Sequence, residues 1–252
     1  MICTPKAKAT FGISFCHHLE EAILTGNNEI TALVPCRAGS ERVPNKNSRP
    51  FASSSLIQIK LEQLSLVPAI SRVIVSTDDP IVITACEEFN GSKVEIHERD
   101  PELATSQTTT DELCEYFANT LEFDHLLWTH VTSPFVTKQV YEEAISQYLS
   151  GLGNGNDSLI GVKKTQEFVW RSDLTAVNYD IESQGMWPRT QTIEPLYIVN
   201  SAIFLASQEV MKKNRNRVGT SPIIYEMGEL SSFDVDWEAD FLAAESIWLN
   251  LK

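Results

Sequence analysis

Basic residues are scarce in this 252-residue chain. Lysine and arginine together number 20 against 34 aspartates and glutamates, which gives a formal net charge of −14. No basic stretch is long enough to follow a nucleic-acid backbone, so general DNA or RNA binding is excluded as a function. A single nucleotide is still a suitable partner, because it needs only a few local cations.

Paired cysteines and long apolar runs are also missing. The five cysteines are widely spaced, and no two of them form a CxxC pair. Such usage is typical of reduced thiols in a cytoplasm. No apolar run approaches the ~20 residues that span a bilayer, and the N-terminus lacks the pattern of a secretory signal. We therefore expect a cytoplasmic protein that has no membrane partner.

The first 29 residues differ in pattern from the rest, and we interpret 1–29 as an N-terminal extension. Its stretch HHLEEAIL predicts a short amphipathic helix. Cys16, His17 and His18 invite a metal hypothesis, but no second ligand pair follows at a useful spacing, so a surface helix is the preferred interpretation. Residues 30–252 are expected to form one domain.

From Ile30 onward, short apolar segments alternate with amphipathic ones. ITALVP, SRVIVST, KVEIH and FDHLLWTHV are typical of strands, and each is followed by a segment with helical periodicity. This alternation predicts βαβ units and a mostly parallel sheet with helices on both faces. Because such sheets bind ligands at the carboxyl ends of their strands, the loops after Pro35, Ser76 and Val131 are the candidate ligand loops.

The regular alternation of predicted strands and helices ends at the Gly/Asn-rich turn at 151–157. The segments SLIGVKK and PLYIVNSAIFLA predict strands, whereas the polar, proline-containing stretch between them predicts a projecting arm or lid at about 164–195. At the end of the chain, FDVDWEADFLAAESIWLN predicts a strand that leads into an amphipathic helix.

The loop CRAGSERVPNKN has the residue types of an anion-binding turn. Gly39 lets the backbone approach a ligand closely, Ser40 offers a hydroxyl group, and Arg37 and Lys46 are cations that suit a polyphosphate. The spacing matches neither the Walker A motif nor the Rossmann glycine fingerprint. From these residues alone, a phosphate site and a plain basic surface loop are equally acceptable interpretations.

Two acidic motifs are candidate metal ligands. In a strand over FDVDW, Asp234 and Asp236 would share one face, and two adjacent carboxylates together with phosphate oxygens suit Mg²⁺. A solvated edge strand is the alternative for this pair. In STDD, Asp79 is best interpreted as a helix cap, while Asp78 fits a metal ligand and a cap equally well.

Taken in order, several motifs resemble one known family. The pattern PxRxGSxRxPxKN is followed by STD, RDPELA, TSP, NSAIF and DVD. This series resembles the acylneuraminate cytidylyltransferases, which include the CMP-sialic acid synthetases and, more distantly, the CMP-Kdo synthetases. The resemblance covers the chain from about Ile30. It implies a Rossmann-like α/β nucleotidyltransferase fold with a dimerisation arm, CTP as a substrate, Mg²⁺ as the cofactor and a homodimer.

The same resemblance assigns roles to individual residues. The triphosphate loop and its neighbouring asparagine correspond to Arg37, Ser40, Lys46 and Asn47. Arg99 corresponds to an arginine near the cytidine, and Thr110 to a residue that contacts the base. Asp234 and Asp236 correspond to the metal-binding pair, with Asp78 as a further candidate ligand. Positions near the sugar correspond to His130, Arg189 and Asn200, with Arg189 on the arm.

The implied reaction transfers CMP from CTP to the anomeric hydroxyl of a sialic-acid-like 2-keto sugar acid and releases pyrophosphate. Arg37, Lys46, Asp234 and Asp236 are the expected catalytic residues, and no side chain is an evident general base. Two alternatives stay open: a CTP-binding paralogue with impaired catalysis, and a nucleotidyltransferase that uses another acceptor such as a phosphonate.

Four positions depart from the family pattern. Glu41 stands where a lysine is common, which removes a positive charge from the phosphate loop. His130, Val136 and Ile198 stand where glutamine, arginine and arginine are common near the sugar. These departures predict an acceptor other than ordinary N-acetylneuraminic acid, or a different way of holding it.

Overall fold

The computed structural model describes residues 28–251, which form a mixed α/β domain. The strands are β1 (Ile30–Cys36), β2 (Pro50–Phe51), β3 (Ser54–Ser55), β4 (Ile70–Thr77), β5 (Val94–Glu98), β6 (His125–Trp128), β7 (Ser158–Thr165), β8 (Leu196–Ser207) and β9 (Pro222–Glu226). The helices are α1 (Leu56–Ser65), α2 (Pro80–Glu88), α3 (Thr110–Thr120), α4 (Lys138–Leu152), α5 (Ile181–Gln184), α6 (Gln208–Asn214) and α7 (Glu238–Asn250). The predicted N-terminal helix and the Cys16–His18 cluster lie outside the described residues.

Seven strands form one mostly parallel sheet in the order β5-β4-β1-β6-β8-β7-β9. β1 lies between β4 and β6 and is parallel to both, and β7 is parallel to β9. Within this described sheet only β8 runs in the opposite direction, antiparallel to β6 and β7. β2 and β3 form a separate two-stranded ribbon.

The helices cover both faces of the sheet, as the sequence predicts. Successive residues of β1 pack on opposite sides: Ala32 and Val34 belong to the larger apolar cluster, and Leu33 to the smaller one. Helices α1, α2, α4 and α7 contribute to the larger cluster, whereas α3 and α6 contribute to the smaller. Period-two burial along the strand therefore builds two cores, one on each face.

Side-chain caps fix where the helices begin. Ser55, Asp79 and Thr137 each accept a hydrogen bond from a backbone N–H in the first turn of the helix that follows. Thr109 and Glu112 form a reciprocal capping box at the start of α3. The prediction that Asp79 is a cap is confirmed.

The prediction of a strand over FDVDW is wrong. Residues 233–237 form an extended loop that leads directly into α7. The backbone N–H groups of Asp236 and Trp237 donate to the Asp240 carboxylate at 3.1 and 2.8 Å, and so they are not free for a sheet partner. Val235 is completely buried between the two more accessible aspartates, whereas Trp237, the next alternate position, is 59% exposed.

Two other segments differ from the sequence expectations. β9 was not predicted, because its apolar run is short and is interrupted by Pro222 and Glu226. The segment between β7 and β8 contains α5, a 3₁₀ turn at Thr190–Thr192 and a single bridge between Trp170 and Ala176. Among the helices of residues 28–251, none is long and apolar enough to cross a membrane.

Candidate functional site

The carboxyl edge of the sheet carries a cleft of about 440 Å³. It is lined from three loops, within 35–47 after β1, within 99–106 after β5, and at 130–132 after β6. Because these strands are parallel neighbours or near neighbours, their carboxyl ends converge at one edge. The predicted ligand loops after Pro35 and Val131 therefore meet, as expected.

The lining of the cleft is basic, although the chain as a whole is acidic. Its four cations are Arg37, Arg42, Lys46 and Arg99, and Glu41 is the one carboxylate among the described residues that line it. Ser40 and Asn47 also line the cleft, as the sequence predicts. A positive recess of this size on a protein of charge −14 favours a small polyanion as its ligand.

Hydrogen bonds from two neighbouring segments hold the first loop. The backbone N–H of Ala38 donates to Asp78 Oδ1 at 2.7 Å, and Asn47 Nδ2 donates to the carbonyl of Arg37 at 3.2 Å. Gly39 has a φ of +69°, in the left-handed region that favours glycine. The loop is therefore held in shape by the protein itself, and Asp78 takes part as an anchor.

Lys46 connects this loop to the acidic segment near the C-terminus. Its Nζ donates to the carbonyl of Val235 at 2.8 Å, between Asp234 and Asp236 in sequence. Burial lowers the pKa of Lys46, while the carboxylates of Asp236 and Asp234 act in the opposite direction. The predicted catalytic cation and the predicted acidic pair are thus brought together.

Asp234 is a partly buried carboxylate with one unpartnered acceptor oxygen. Its Oδ1 is shielded from solvent and has no hydrogen-bond partner among the described residues. Burial raises the pKa of Asp234, and the neighbouring charge of Asp236 raises it further; Thr132 and Lys46 oppose the shift. An unpartnered buried oxygen of this kind is costly unless a cation or donor reaches it.

Asp236 is more exposed and is engaged by a cation of the first loop. Arg42 Nη2 lies 3.0 Å from Asp236 Oδ1, and its guanidinium stacks on the ring of Trp237 at 5.2 Å. Both partners are about half exposed, so this ion pair is weak and can exchange with a ligand.

Arg99 is fixed at the carboxyl end of β4. Its Nε donates to Ser76 Oγ at 3.1 Å and its Nη2 to the Ser76 carbonyl at 2.9 Å. The side chain is 5% exposed, and burial lowers its pKa. A cation held this rigidly offers a defined contact to a ligand in the cleft.

His130 lines the cleft and contacts an arginine that the sequence analysis missed. Trp128 Nε1 lies 2.9 Å from His130 Nε2, and Arg217 Nη1 lies 3.4 Å from the same atom. The Arg217 guanidinium stacks on the rings of Phe204 and Trp128 at 3.6 and 5.0 Å. Burial lowers the pKa of Arg217 to about 10.

Other predicted residues lie away from the cleft lining. Thr110 is exposed in the first turn of α3. Arg189 is exposed at the 3₁₀ turn in the segment between β7 and β8. Asn200 is buried, where its Nδ2 donates to the Ser232 carbonyl at 2.7 Å and its Oδ1 accepts from the Ala202 N–H at 2.9 Å. Their ligand roles stay predictions.

The predicted acidic ligands do not all lie together, and the residues that depart from the family pattern do not all lie at the cleft. No cluster of three or more His, Cys, Asp or Glu residues that suits a metal forms within 28–251, so Asp78 does not join the Asp234–Asp236 pair. Of the three departures expected near the sugar, only His130 lines the cleft. Val136 is completely buried in the core, and Ile198 is 55% exposed on β8.

Ser106 and Thr132 line the cleft but were not predicted as site residues. Thr132 belongs to the TSP motif, directly after the strand whose end was expected to bind a ligand. Its position in the sequence could therefore have predicted it as a site residue. Ser106 lies seven positions beyond Arg99, in a loop whose path is set by the 3₁₀ turn at Pro101–Leu103. Sequence alone gives no reason to place it in the cleft.

A mostly parallel α/β sheet with a basic, nucleotide-sized cleft at its strand ends is typical of the class of nucleotide-binding α/β proteins. A family model described as Cytidylyltransferase matches residues 31–245, and the chain belongs to that family. The resemblance noted from the sequence motifs is therefore confirmed at the family level.

Curated relatives have related names at modest identity. The N-acylneuraminate cytidylyltransferase of Streptococcus agalactiae serotype III is 26% identical over 216 residues, which cover 83% of this chain and 51% of the relative. The chain thus spans about half the length of that relative. The CMP-N,N'-diacetyllegionaminic acid synthase of Legionella pneumophila is 24% identical over 234 residues, covering 86% of this chain and 95% of the relative.

Solved structures share the fold. A CMP:2-keto-3-deoxy-manno-octonic acid synthetase complexed with CTP superposes with a TM-score of 0.64 at 17% identity, covering 89% of this chain and all of the other. A 4-diphosphocytidyl-2C-methyl-D-erythritol synthase from Anaerococcus prevotii also gives 0.64, at 14% identity, with 88% and 97% covered. The predicted Rossmann-like nucleotidyltransferase fold is confirmed.

Proposed function

We propose that the chain transfers CMP from CTP to the anomeric hydroxyl of a sialic-acid-like 2-keto sugar acid, with Mg²⁺ as cofactor. The sugar oxygen forms a bond to the α-phosphorus, the bond from that phosphorus to pyrophosphate breaks, and the hydroxyl proton passes to solvent. The observation that carries the proposal is the basic cleft at the strand ends, which the hydrogen bond from Lys46 to the Val235 carbonyl connects to the segment that holds Asp234 and its unpartnered Oδ1.

The basic lining supports a triphosphate as the first substrate. Arg37, Lys46 and Ser40 belong to one loop, and their cations and hydroxyl group lie on the same cleft. In phosphoryl and nucleotidyl transfer, positioning and charge neutralisation provide most of the catalysis. Arg37 and Lys46 would orient the triphosphate and stabilise the negative charge on the departing pyrophosphate.

The acidic pair supports a divalent cation. Asp234 Oδ1 has no partner among the described residues, and Asp236 is held only by an exchangeable ion pair, so both can supply oxygen ligands. A site of two carboxylates, completed by phosphate oxygens and water, suits Mg²⁺. When bound, Mg²⁺ would polarise the α-phosphate and favour ionisation of the attacking hydroxyl.

The names of the relatives support the acceptor class. The S. agalactiae and L. pneumophila relatives are named for acylneuraminate and diacetyllegionaminic acid. A 3-deoxy-manno-octulosonate cytidylyltransferase from Geobacter metallireducens is 31% identical over 118 residues, covering 47% of this chain and 44% of the relative. A 2-keto sugar acid is thus favoured over a phosphonate as the acceptor.

The test is a turnover assay with CTP, Mg²⁺ and a panel of 2-keto acids that contains neuraminic, legionaminic and octulosonic acids. We expect pyrophosphate release and a CMP–sugar mass with at least one of them, and loss of both on chelation. No release with any acid, together with CTP binding that is indifferent to Mg²⁺, would contradict the proposal. CTP binding without turnover would favour the impaired paralogue.

Two variants locate the activity in the cleft. Asp234→Asn keeps the size of the side chain but weakens the metal ligand, so turnover should fall by at least about 100-fold. Asp124→Asn removes an exposed carboxylate that precedes β6, at the opposite edge of the sheet, and should leave turnover unchanged. Equal activity of Asp234→Asn and the parent chain would remove Asp234 from the mechanism.

A further inference from the structure

We propose that His130 acts as a neutral hydrogen-bond donor, through Nδ1–H, to an acceptor oxygen of a substrate, and that Trp128 and Arg217 are positioning residues that fix this tautomer. The identity of the substrate rests on the proposed function. The protonation state of the His130 imidazole does not rest on the proposed function, because it follows from contacts within the chain.

The hydrogen-bond partners of Nε2 determine where the imidazole proton lies. An indole N–H and a guanidinium N–H can only donate, and both approach the same ring nitrogen, at 2.9 Å from Trp128 and 3.4 Å from Arg217. Nε2 must therefore accept, and the single proton of a neutral imidazole is on Nδ1. Nε2 is then occupied and cannot serve as a general base.

The surrounding charges keep this imidazole neutral. The charges of Arg217, Lys46 and Arg99, and of Lys60 when it is protonated, all lower the pKa of His130. Burial is the largest cause, and together these effects lower the pKa of His130 to about 3. The side chain is thus uncharged throughout the range in which enzymes of this kind work.

Arg217 is held in place by both sheet and loop. Phe204 and Trp128 are directly paired across β8 and β6, and the guanidinium stacks on both rings. The loop itself is fixed because the Gly219 N–H donates to Ser158 Oγ at 2.8 Å and Asn216 Nδ2 donates to Asp111 Oδ1 at 2.6 Å. Such a rigid cation fits a positioning role.

Nδ1 is the ring atom left for a ligand. It has no hydrogen-bond partner within residues 28–251, and His130 lines the cleft beside Thr132. An N–H donor pairs with an acceptor oxygen, and carboxylate, carbonyl and phosphate oxygens are strong acceptors that a cationic neighbourhood also favours. Both the sugar acid and CTP contain such oxygens, and the kinetic test below distinguishes them.

The first experiment observes the histidine in the free, full-length chain by two-bond ¹H–¹⁵N correlation spectroscopy, with His130→Asn used for assignment. We expect His130 to show a protonated Nδ1 and an unprotonated Nε2, without titration between about pH 5 and pH 8. A protonated Nε2, or titration near the ordinary value of about 6.5, would overturn the proposal. This readout needs no turnover, so it is independent of the proposed function.

The second experiment tests the positioning residue. Arg217→Met keeps an apolar stem on the two rings but removes the cation, so the pKa of His130 should rise by more than about one unit. Arg215→Met removes a neighbouring exposed cation, which pairs with Glu115, and should leave the pKa of His130 unchanged. If Arg217→Met does not fold, Trp128→Phe removes the other donor and should also raise it. Equal effects of the two arginine variants would contradict the assignment.

The third experiment identifies the recognised oxygen. His130→Leu should raise the KM of one substrate about tenfold. His130→Asn, whose amide N–H replaces Nδ1–H, should recover most of that loss. If the KM of the sugar acid changes, the oxygen that His130 recognises belongs to the sugar acid. If the KM of CTP changes, the oxygen belongs to the nucleotide. In a chain without turnover, the Kd for CTP is measured instead of KM. Unchanged values in His130→Leu would overturn the donor role.

Discussion

Lys60 is a completely buried lysine beneath the turn that carries Thr132 and Ser133. Its Nζ donates to the Ser133 carbonyl at 2.9 Å and to the Tyr141 hydroxyl at 2.7 Å. Burial lowers its pKa to about 7. A residue of this kind couples the stability of the fold to pH without contacting a ligand.

We predict that Lys60 makes the folded state more stable as the pH rises above about 7. In that range the folded state carries neutral Lys60, while the unfolded chain still binds the proton, so the free energy of unfolding increases with pH until the ordinary lysine pKa is reached. Below about pH 7 the buried ammonium carries its full desolvation cost.

Urea unfolding of the parent chain and of Lys60→Met between about pH 6 and pH 9 measures how the free energy of unfolding changes with pH. The parent should gain stability over the variant as the pH rises. Lys138→Met, which removes an exposed lysine paired with Glu142, serves as the control and should show no such difference. Parallel pH profiles for the parent and Lys60→Met would contradict the prediction.

Glu41 is the residue at which the predicted phosphate loop departs from the pattern that the family resemblance implies. It is exposed, yet it lines the cleft together with four cations. We predict that Glu41→Lys lowers the KM for CTP about threefold at low salt and less at high salt, because solvent and ions screen an exposed charge.

Initial-rate kinetics at two salt concentrations checks this effect. Glu62→Lys makes the same charge change on α1, outside the cleft, and should leave KM unchanged. A large rise in turnover with Glu41→Lys would mean that Glu41 weakens the enzyme. If KM stays the same at both salt concentrations, the side chain points away from the triphosphate.

At the scale of elements, Asn200 connects β8 to the turn before the acidic segment. Both polar groups of its side chain are already bonded within the chain, to Ser232 and Ala202. We therefore predict that Asn200→Ala lowers the free energy of unfolding by about 1–3 kcal/mol, because a buried carbonyl and a buried N–H lose their partners.

Calorimetry and kinetics with the sugar acid distinguish a structural role of Asn200 from the sugar contact that the family resemblance implies. A structural residue should lower Tm and weaken the response of Tm to Mg²⁺, since Ser232 precedes Asp234 closely. A direct sugar ligand should instead raise the KM of the acid while Tm stays unchanged. Asn200→Asp, which keeps the acceptor to Ala202, should be intermediate in stability.

The elements also show which parts of the site the sequence can predict. The alternating pattern places the phosphate loop and His130 at strand ends, because helix and strand periods are local properties. The error over FDVDW arises because the alternating letters resemble a strand, although in the loop Val235 is buried and Trp237 is exposed. Arg217 was missed because its role depends on the register that pairs Trp128 with Phe204, which no local pattern encodes.

At the scale of the whole molecule, large apolar side chains remain exposed on the segment between β7 and β8 and on the adjoining part of β8. They include Leu174 and Trp187, each 71% exposed, and Ile198 and Val199 at 55% and 58%. An apolar surface of this kind marks an interface in soluble proteins. We predict that this surface joins two copies of the chain into a homodimer.

Sedimentation equilibrium should give twice the mass of the chain. Ile198→Lys should shift the equilibrium toward the monomer, because it places a charge in the interface. Leu66→Lys changes an equally exposed apolar residue after α1 and should leave the mass unchanged. A monomeric parent chain at micromolar concentration would contradict the prediction.

The contact from Lys46 to Val235 spans 189 positions of sequence. Arg49 reinforces it with two hydrogen bonds to Glu238, at 2.9 and 2.8 Å. During synthesis the first loop leaves the ribosome long before its partner, so the site is among the last parts of the domain to be assembled. A nascent chain arrested before Asp234 would contain every residue of the phosphate loop and still lack the contact that connects it to the carboxylates.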